Sequence, residues 1–206
     1  MTPTVEPTVI PTSEPTMEPT VEPTLQTAVF EMTDTVHMSD LSTTLQYDSL
    51  PVVLSDAMTL SLWIKTSQTT EAYLMTIGRT SSTVTYQFSL RMISNGKLNF
   101  WDYSDSQYGF LTGKFSEGVV NTGELTHIAF VKDGLTGTYY INGVASGTTT
   151  SSAEFDYSQY YFYLGGNVRD KRNYLVGDMT YVQVFKASLS AAEVLTLYQI
   201  SRLLVD

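Results

Sequence analysis

Residues 124–147, ELTHIAFVKDGLTGTYYINGVASG, decide the fold. Residues 127–132 and 138–141 are runs of β-branched, aromatic and alternating residues, the composition of strands. Between them Asp133-Gly134-Leu135-Thr136-Gly137 reads as a hairpin loop, because its two glycines tolerate positive φ. Asn142-Gly143, the dipeptide best suited to a two-residue I′ turn, reverses the chain again at once. Three strand passes in so short a span form an antiparallel meander, which predicts an all-β domain.

Working outward, residues 59–65 alternate, with Leu60, Leu62 and Ile64 on one face and Ser61, Trp63 and Lys65 on the other. Residues 73–79 and 84–93 read as strands, and Asn95-Gly96 as a tight turn before a strand over 97–103. Residues 155–165 form a tyrosine-rich strand, and 174–185 the closing pair or one long bent strand. Leu60, Leu62, Ile64, Ile128, Phe130, Tyr140 and Val184 are the expected inward positions. Ser190-Ala191-Ala192-Glu193 is a capping box that opens the one convincing helix, on which Val194, Leu197, Tyr198 and Leu204 can share a face.

The stretch Thr126-His127-Ile128-Ala129-Phe130-Val131-Lys132-Asp133-Gly134, followed by Tyr139-Tyr140-Ile141-Asn142-Gly143, resembles the W-H-x-A-x-V-x-D-G…L-Y-V-N-G core of laminin-G-like, concanavalin A-like jelly rolls. Ser61-Leu62-Trp63-Ile64-Lys65 resembles an early strand of that family. Leu164-Gly165-Gly166-Asn167, Gly177-Asp178 and Leu189-Ser190-Ala191-Ala192-Glu193-Val194 resemble its closing segment. The likeness runs over about residues 29–198 and implies an all-β, two-sheet antiparallel jelly-roll sandwich with one short C-terminal helix. It implies no single function.

Ahead of this head lies a different kind of text. Six of the seven prolines stand at 3, 7, 11, 15, 19 and 23, each followed by threonine. Proline every fourth residue excludes helix and sheet ladders, so the arm is expected to be extended and polyproline II-like. A period of four on a three-fold helix turns each Pro-Thr pair about a third of a turn from the last. Thr4, Thr8, Thr12, Thr16, Thr20 and Thr24 are thus candidates for O-glycosylation, and Pro3, Pro7, Pro11, Pro15, Pro19 and Pro23 for hydroxylation, because the tract resembles mucin-like and hydroxyproline-rich repeats. The domain reading is an arm over 1–27 and a jelly-roll domain over 28–206.

Composition narrows the function. A formal net charge of −10 at pH 7 disfavours nucleic acid and anionic membrane surfaces as partners. No cysteine is present, which removes disulfides, thiolate metal sites and cysteine nucleophiles. No apolar run approaches the ~20 residues of a membrane helix, so membrane insertion is not expected. No secretory apolar region is visible either, so a leader is expected to have been removed or to lie elsewhere.

Glycoside hydrolases on this fold carry two glutamates on one strand, and the nearest text is Glu154-Phe155-Asp156-Tyr157-Ser158-Gln159. Ser158 or Gln159 stands where the second carboxylate is required, leaving an acid without a nucleophile. The chain is therefore read as no enzyme, with His127 a structural strand residue. Calcium is common in the superfamily, and the loop carboxylates Asp102, Asp105 and Asp170 are its candidate ligands, with Asp178 beside them. No other cofactor is expected. Aromatic faces stack on sugar rings, so Trp101, Tyr103, Tyr108 and Tyr160 are the candidate carbohydrate-binding residues. The leading expectation is an extracellular or cell-surface structural or adhesive protein, a fibre subunit whose arm carries O-glycans and links copies of the chain. The alternative is a non-catalytic, lectin-like carbohydrate-binding module on a glycosylated linker, with glycans as partners.

Overall fold

The computed structural model describes residues 25–47, 54, 57–78, 88–102, 115–150, 161–166 and 172–205. The arm over 1–24 lies outside them, so its polyproline II reading and its threonine and proline candidates have no structural counterpart here. The chain runs through β1 (Phe30–Met32), β2 (Val36–Met38), β3 (Leu45–Tyr47), β4 (Ala57–Lys65), β5 (Ala72–Gly78) and β6 (Phe88–Met92). It continues through β7 (Leu98–Asp102), β8 (Leu125–Asp133), β9 (Thr136–Ile141), β10 (Val144–Thr150), β11 (Tyr161–Leu164) and β12 (Gly177–Phe185) to the helix α1 (Ala191–Val205).

Among the described residues these strands form two antiparallel sheets. One has seven strands in the order β1-β12-β4-β8-β9-β10, with β2 also on β12; the other has five, in the order β3-β11-β5-β6-β7. This is the expected jelly-roll sandwich. The central meander is tighter than its sequence suggests: Asp133 pairs with Thr136, so the β8–β9 turn is only Gly134-Leu135. Gly134 sits at φ +55° in the first turn position, as a II′ turn asks, and Asn142 and Gly143 are both at positive φ, as a I′ turn asks.

Leu60, Leu62, Ile64, Ile128, Phe130 and Val184 face the core, as expected. Phe88 and Phe100 from one sheet meet Phe130 from the other, with the Phe100 and Phe130 rings 4.1 Å apart and nearly parallel. Tyr139 joins this stack and accepts the Phe100 N–H at 2.8 Å, tying β9 to β7 across the sandwich. Tyr140 corrects the expectation. Phe130 pairs with Tyr139, so Tyr139 shares its inward side, while Tyr140 pairs with Ala129 and faces out. On β12 the register slips between Thr180 and Gln183, around Tyr181 at φ +48°. That bulge lets Met179 and Val182, of opposite parity, both enter the core.

The outward side of the larger sheet is closed by α1. Ser190 caps it as read: its hydroxyl accepts the Glu193 N–H at 3.3 Å, and the Glu193 carboxylate accepts the Ser190 N–H at 2.7 Å. Val194 and Leu197 are buried against Ala129, Val131, Tyr140 and Phe185. Leu25 and Ala28 pack on the same cluster, which anchors the start of the head beside the helix. Leu204 is not on the docked face; it is 63% exposed. Ser201, seven residues after Val194, takes that place because two helical turns return to nearly the same direction, whereas ten residues do not.

Candidate functional site

Among the described residues, no helix packs on the outward side of the smaller sheet. A bulge at Leu74-Met75 turns both residues inward, so that Tyr73 and Thr76 both point outward. On β6 the alternation sends Phe88, Leu90 and Met92 to the core and Ser89 and Arg91 out. Asn99 and Trp101 on β7, and Tyr161 and Tyr163 on β11, share that outward parity.

Register then assembles a row. Gln46 pairs with Tyr163, Tyr163 with Thr76, Thr76 with Ser89, and Ser89 with Trp101. Two hydroxyls thus lie between a tyrosine and a tryptophan, across all five strands. Thr76 and Ser89 are both 0% exposed, and neither side-chain oxygen has a hydrogen-bond partner among the described residues. Leaving a hydroxyl in that state costs about 1–3 kcal/mol, so it is uncommon in a finished interior.

The adjacent row carries charge. Tyr73 pairs with Arg91, and Arg91 with Asn99. The Arg91 guanidinium meets the Glu71 carboxylate at 2.6 Å, donates through Nε to Asn99 Oδ1 at 2.9 Å and lies 5.2 Å from the centre of the Trp101 ring. Arg91, Glu71, Trp101 and Tyr161 reach solvent, while the hydroxyl pair lies beneath. Aromatic faces beside unsatisfied hydroxyls and a guanidinium are suited to a polyhydroxylated ring: apolar C–H faces stack, and hydroxyl groups exchange hydrogen bonds.

Of the residues read from sequence, Trp101 lies in this row. Tyr103, Tyr108 and Tyr160 lie outside the described residues, as do Asp105, Asp170 and the 154–159 segment. Asp102 is the last residue of β7, paired with Phe88. Among the described residues, no three His, Cys, Asp or Glu side chains come together as a metal-ligand group. Asp178 instead holds His37 Nδ1 at 2.7 Å, on the exposed edge where β2 meets β12. Thr76, Ser89, Arg91, Asn99 and Glu71 escaped the sequence reading, and Tyr163 entered it only as part of the tyrosine-rich strand. Alternation marks Ser89 and Arg91 as outward, but only strand register shows that they meet Thr76 and Trp101.

The other outward face is arranged for structure. His127 is fully buried against both Trp63 and Tyr198, with Nε2 at 3.0 Å from Ser61 Oγ. Burial pushes its pKa down to about 3, so the ring is neutral and suits packing rather than proton exchange at neutral pH. Trp63 donates its indole N–H to Ser201 at 2.9 Å and stacks on Tyr198. A cleft of about 510 Å³ lies beside the start of α1, near Asp133, Thr136, Thr138 and Ser188. Two of its polar groups serve the structure: Ser188 donates to the Lys132 carbonyl, and Ser190 forms the helix cap with Glu193.

With that geometry in view, the profile of the concanavalin A-like lectin/glucanases superfamily matches residues 39–195. The chain belongs to this superfamily. Among solved structures, the fold of this concanavalin A-like domain is similar to the CBM40 domain of the Ruminococcus gnavus IT-sialidase, at 18% identity and a TM-score of 0.67, over 84% of this chain and 100% of that one. It is also similar to domain 4 of an extracellular arabinanase from Geobacillus stearothermophilus, in complex with arabinotriose, at 23% identity and a TM-score of 0.51, over 71% and 68% of the two chains. A heptameric SAP-like pentraxin from Limulus polyphemus shares the fold at 18% identity and a TM-score of 0.58, over 75% of each chain. No curated protein matches it in sequence. No helix among the described residues is long and apolar enough to cross a membrane.

Proposed function

We propose that this chain is a non-catalytic carbohydrate-binding module, displayed outside the cell on a Pro-Thr arm. The observation that carries the reading is the Tyr163–Thr76–Ser89–Trp101 row, with its two buried and unsatisfied hydroxyls. A sugar ring stacked against Trp101 would bring its hydroxyl groups to Arg91 and Asn99. Reaching Thr76 and Ser89 requires local opening of the face, which slows association relative to a preformed groove. The reading has support from fold likeness as well: a CBM40 domain and an arabinotriose-bound domain are built on the same sandwich. These favour the lectin-like alternative over the fibre-subunit reading.

A binding screen on soluble polysaccharides and oligosaccharides tests it. The expected result is saturable binding that falls at least about tenfold in Trp101→Ala, with circular dichroism unchanged. Absence of binding to every glycan class, by a folded chain, would sink the proposal. Repeated with calcium and with a chelator, the screen also tests calcium at Asp102, Asp105 and Asp170. For the arm, we propose O-linked sugars on the six threonines Thr4 to Thr24. Intact mass of native material decides it, and an unmodified mass removes the glycan claim.

A further inference from the structure

We infer that the site takes neutral sugars and discriminates against carboxylate-bearing ones; this rests on the carbohydrate-binding reading above. The decisive group is Arg91. A guanidinium is the natural receptor for a sugar carboxylate, which it grips with two parallel N–H bonds. Here that role is taken. Glu71 occupies Nη1 at 2.6 Å and Asn99 occupies Nε at 2.9 Å. An acidic sugar must either displace Glu71 or sit beside it, and two carboxylates side by side repel.

The charges around the row reinforce this. Arg91 and Glu71 cancel, and Lys97, at the start of the β7 run, shares the strand parity of Asn99 and Trp101. It precedes Asn99 by two residues and Trp101 by four, so it stands roughly 13 Å along the strand from the tryptophan. That exceeds the Debye length of about 8 Å at physiological salt. The net charge of −10 adds a long-range repulsion of anionic glycans at low salt.

What remains at the row is matched to neutral hydroxyls. Arg91 keeps three of its five N–H donors free of the Glu71 and Asn99 bonds. Thr76 and Ser89 each add a group that both donates and accepts. A ring of alternating hydroxyls uses donors and acceptors equally; a carboxylate accepts only and leaves the two hydroxyls half used.

Titration of the full chain at 0.15 M salt against a neutral panel (arabinotriose, xylan and cellulose oligosaccharides) and an acidic panel (α2,3-sialyllactose, oligogalacturonate) tests the inference. The neutral panel is expected to contain the tightest ligand, by about tenfold over any acidic one. In Glu71→Gln the guanidinium is released, and the ratio should move by about tenfold toward acidic glycans. A wild-type preference for the acidic panel would overturn the inference while leaving the carbohydrate-binding reading intact. Binding to neither panel, or to any other glycan class, would overturn both. A neutral preference that Glu71→Gln leaves unmoved, in a variant with the wild-type circular dichroism spectrum, would remove Glu71 as its cause.

Discussion

The two outward faces of the sandwich bury polar side chains to different ends. Beneath α1, Trp63 bonds to Ser201, Ser61 to His127, and Thr59 donates to the Ala187 carbonyl while accepting the Leu189 N–H. These three hydroxyls have partners, and Trp63 stacks on Tyr198, although His127 Nδ1 and Gln183 Oε1 on the same face are buried with no partner among the described residues. On the smaller sheet Thr76 and Ser89 have none among the described residues, and Trp101 carries a guanidinium rather than a neighbouring helix. The difference lies in the cover: the helix supplies partners to the hydroxyls of one face, and on the other two hydroxyls stay unpartnered among the described residues at a cost in stability.

The sharpest way to break this comparison is to truncate both tryptophans. Trp63→Ala, at a residue only 3% exposed, should cost about 3–5 kcal/mol in urea unfolding. Trp101→Ala should cost far less while removing glycan binding. Equal losses of stability would mean that both faces are structural.

Acid titrates the same contrast. His127 falls from an ordinary 6.5 to about 3 in the folded chain, so between those values the unfolded state binds the extra proton. Its contribution is therefore fully present above pH 6.5 and is lost as pH falls toward 3, by up to roughly 5 kcal/mol. Melting temperature against pH should show this slope in the wild type, and a shallower one in His127→Gln. Parallel profiles for the two proteins would place the acid sensitivity elsewhere.

Ser190→Ala removes the hydroxyl half of the helix cap and should lower stability by about 1 kcal/mol, with glycan affinity unchanged. Coupled loss of affinity would show that the two faces communicate. The smallest effect is expected at Thr76→Val. Replacing a hydroxyl that has no partner among the described residues by a methyl should be neutral or stabilising by under ~1 kcal/mol, while glycan affinity drops several-fold. A destabilised variant would mean that the hydroxyl is bonded in the folded chain and not held in reserve.

How much was legible follows from the range of each interaction. The Asn142-Gly143 turn, the Ser190–Glu193 box and the inward set Leu60, Leu62 and Ile64 depend on residues a few positions apart, and all three stand in the structure. Tyr140 was misplaced because two adjacent tyrosines leave the parity of β9 open; the pairing of Phe130 with Tyr139 closes it. Leu204 was chosen over Ser201 on hydrophobicity, yet the indole of Trp63 requires a small partner that can accept a hydrogen bond. Of the site, only Trp101 was readable, as an aromatic beside a strand.

By itself, then, the sequence determined the all-β class, the meander, the capped helix, the acidic character and the period of the Pro-Thr repeat. Each follows from local backbone preference, residue period or summed charge. Tertiary structure alone decided that Tyr163, Thr76, Ser89 and Trp101, spread from residue 76 to 163, form one row, and that Glu71 neutralises Arg91 beside it. The physical reason is that strand register is set between segments far apart in the chain: by bulges such as Leu74-Met75, and by the fit of core side chains on the opposite side of the same strands.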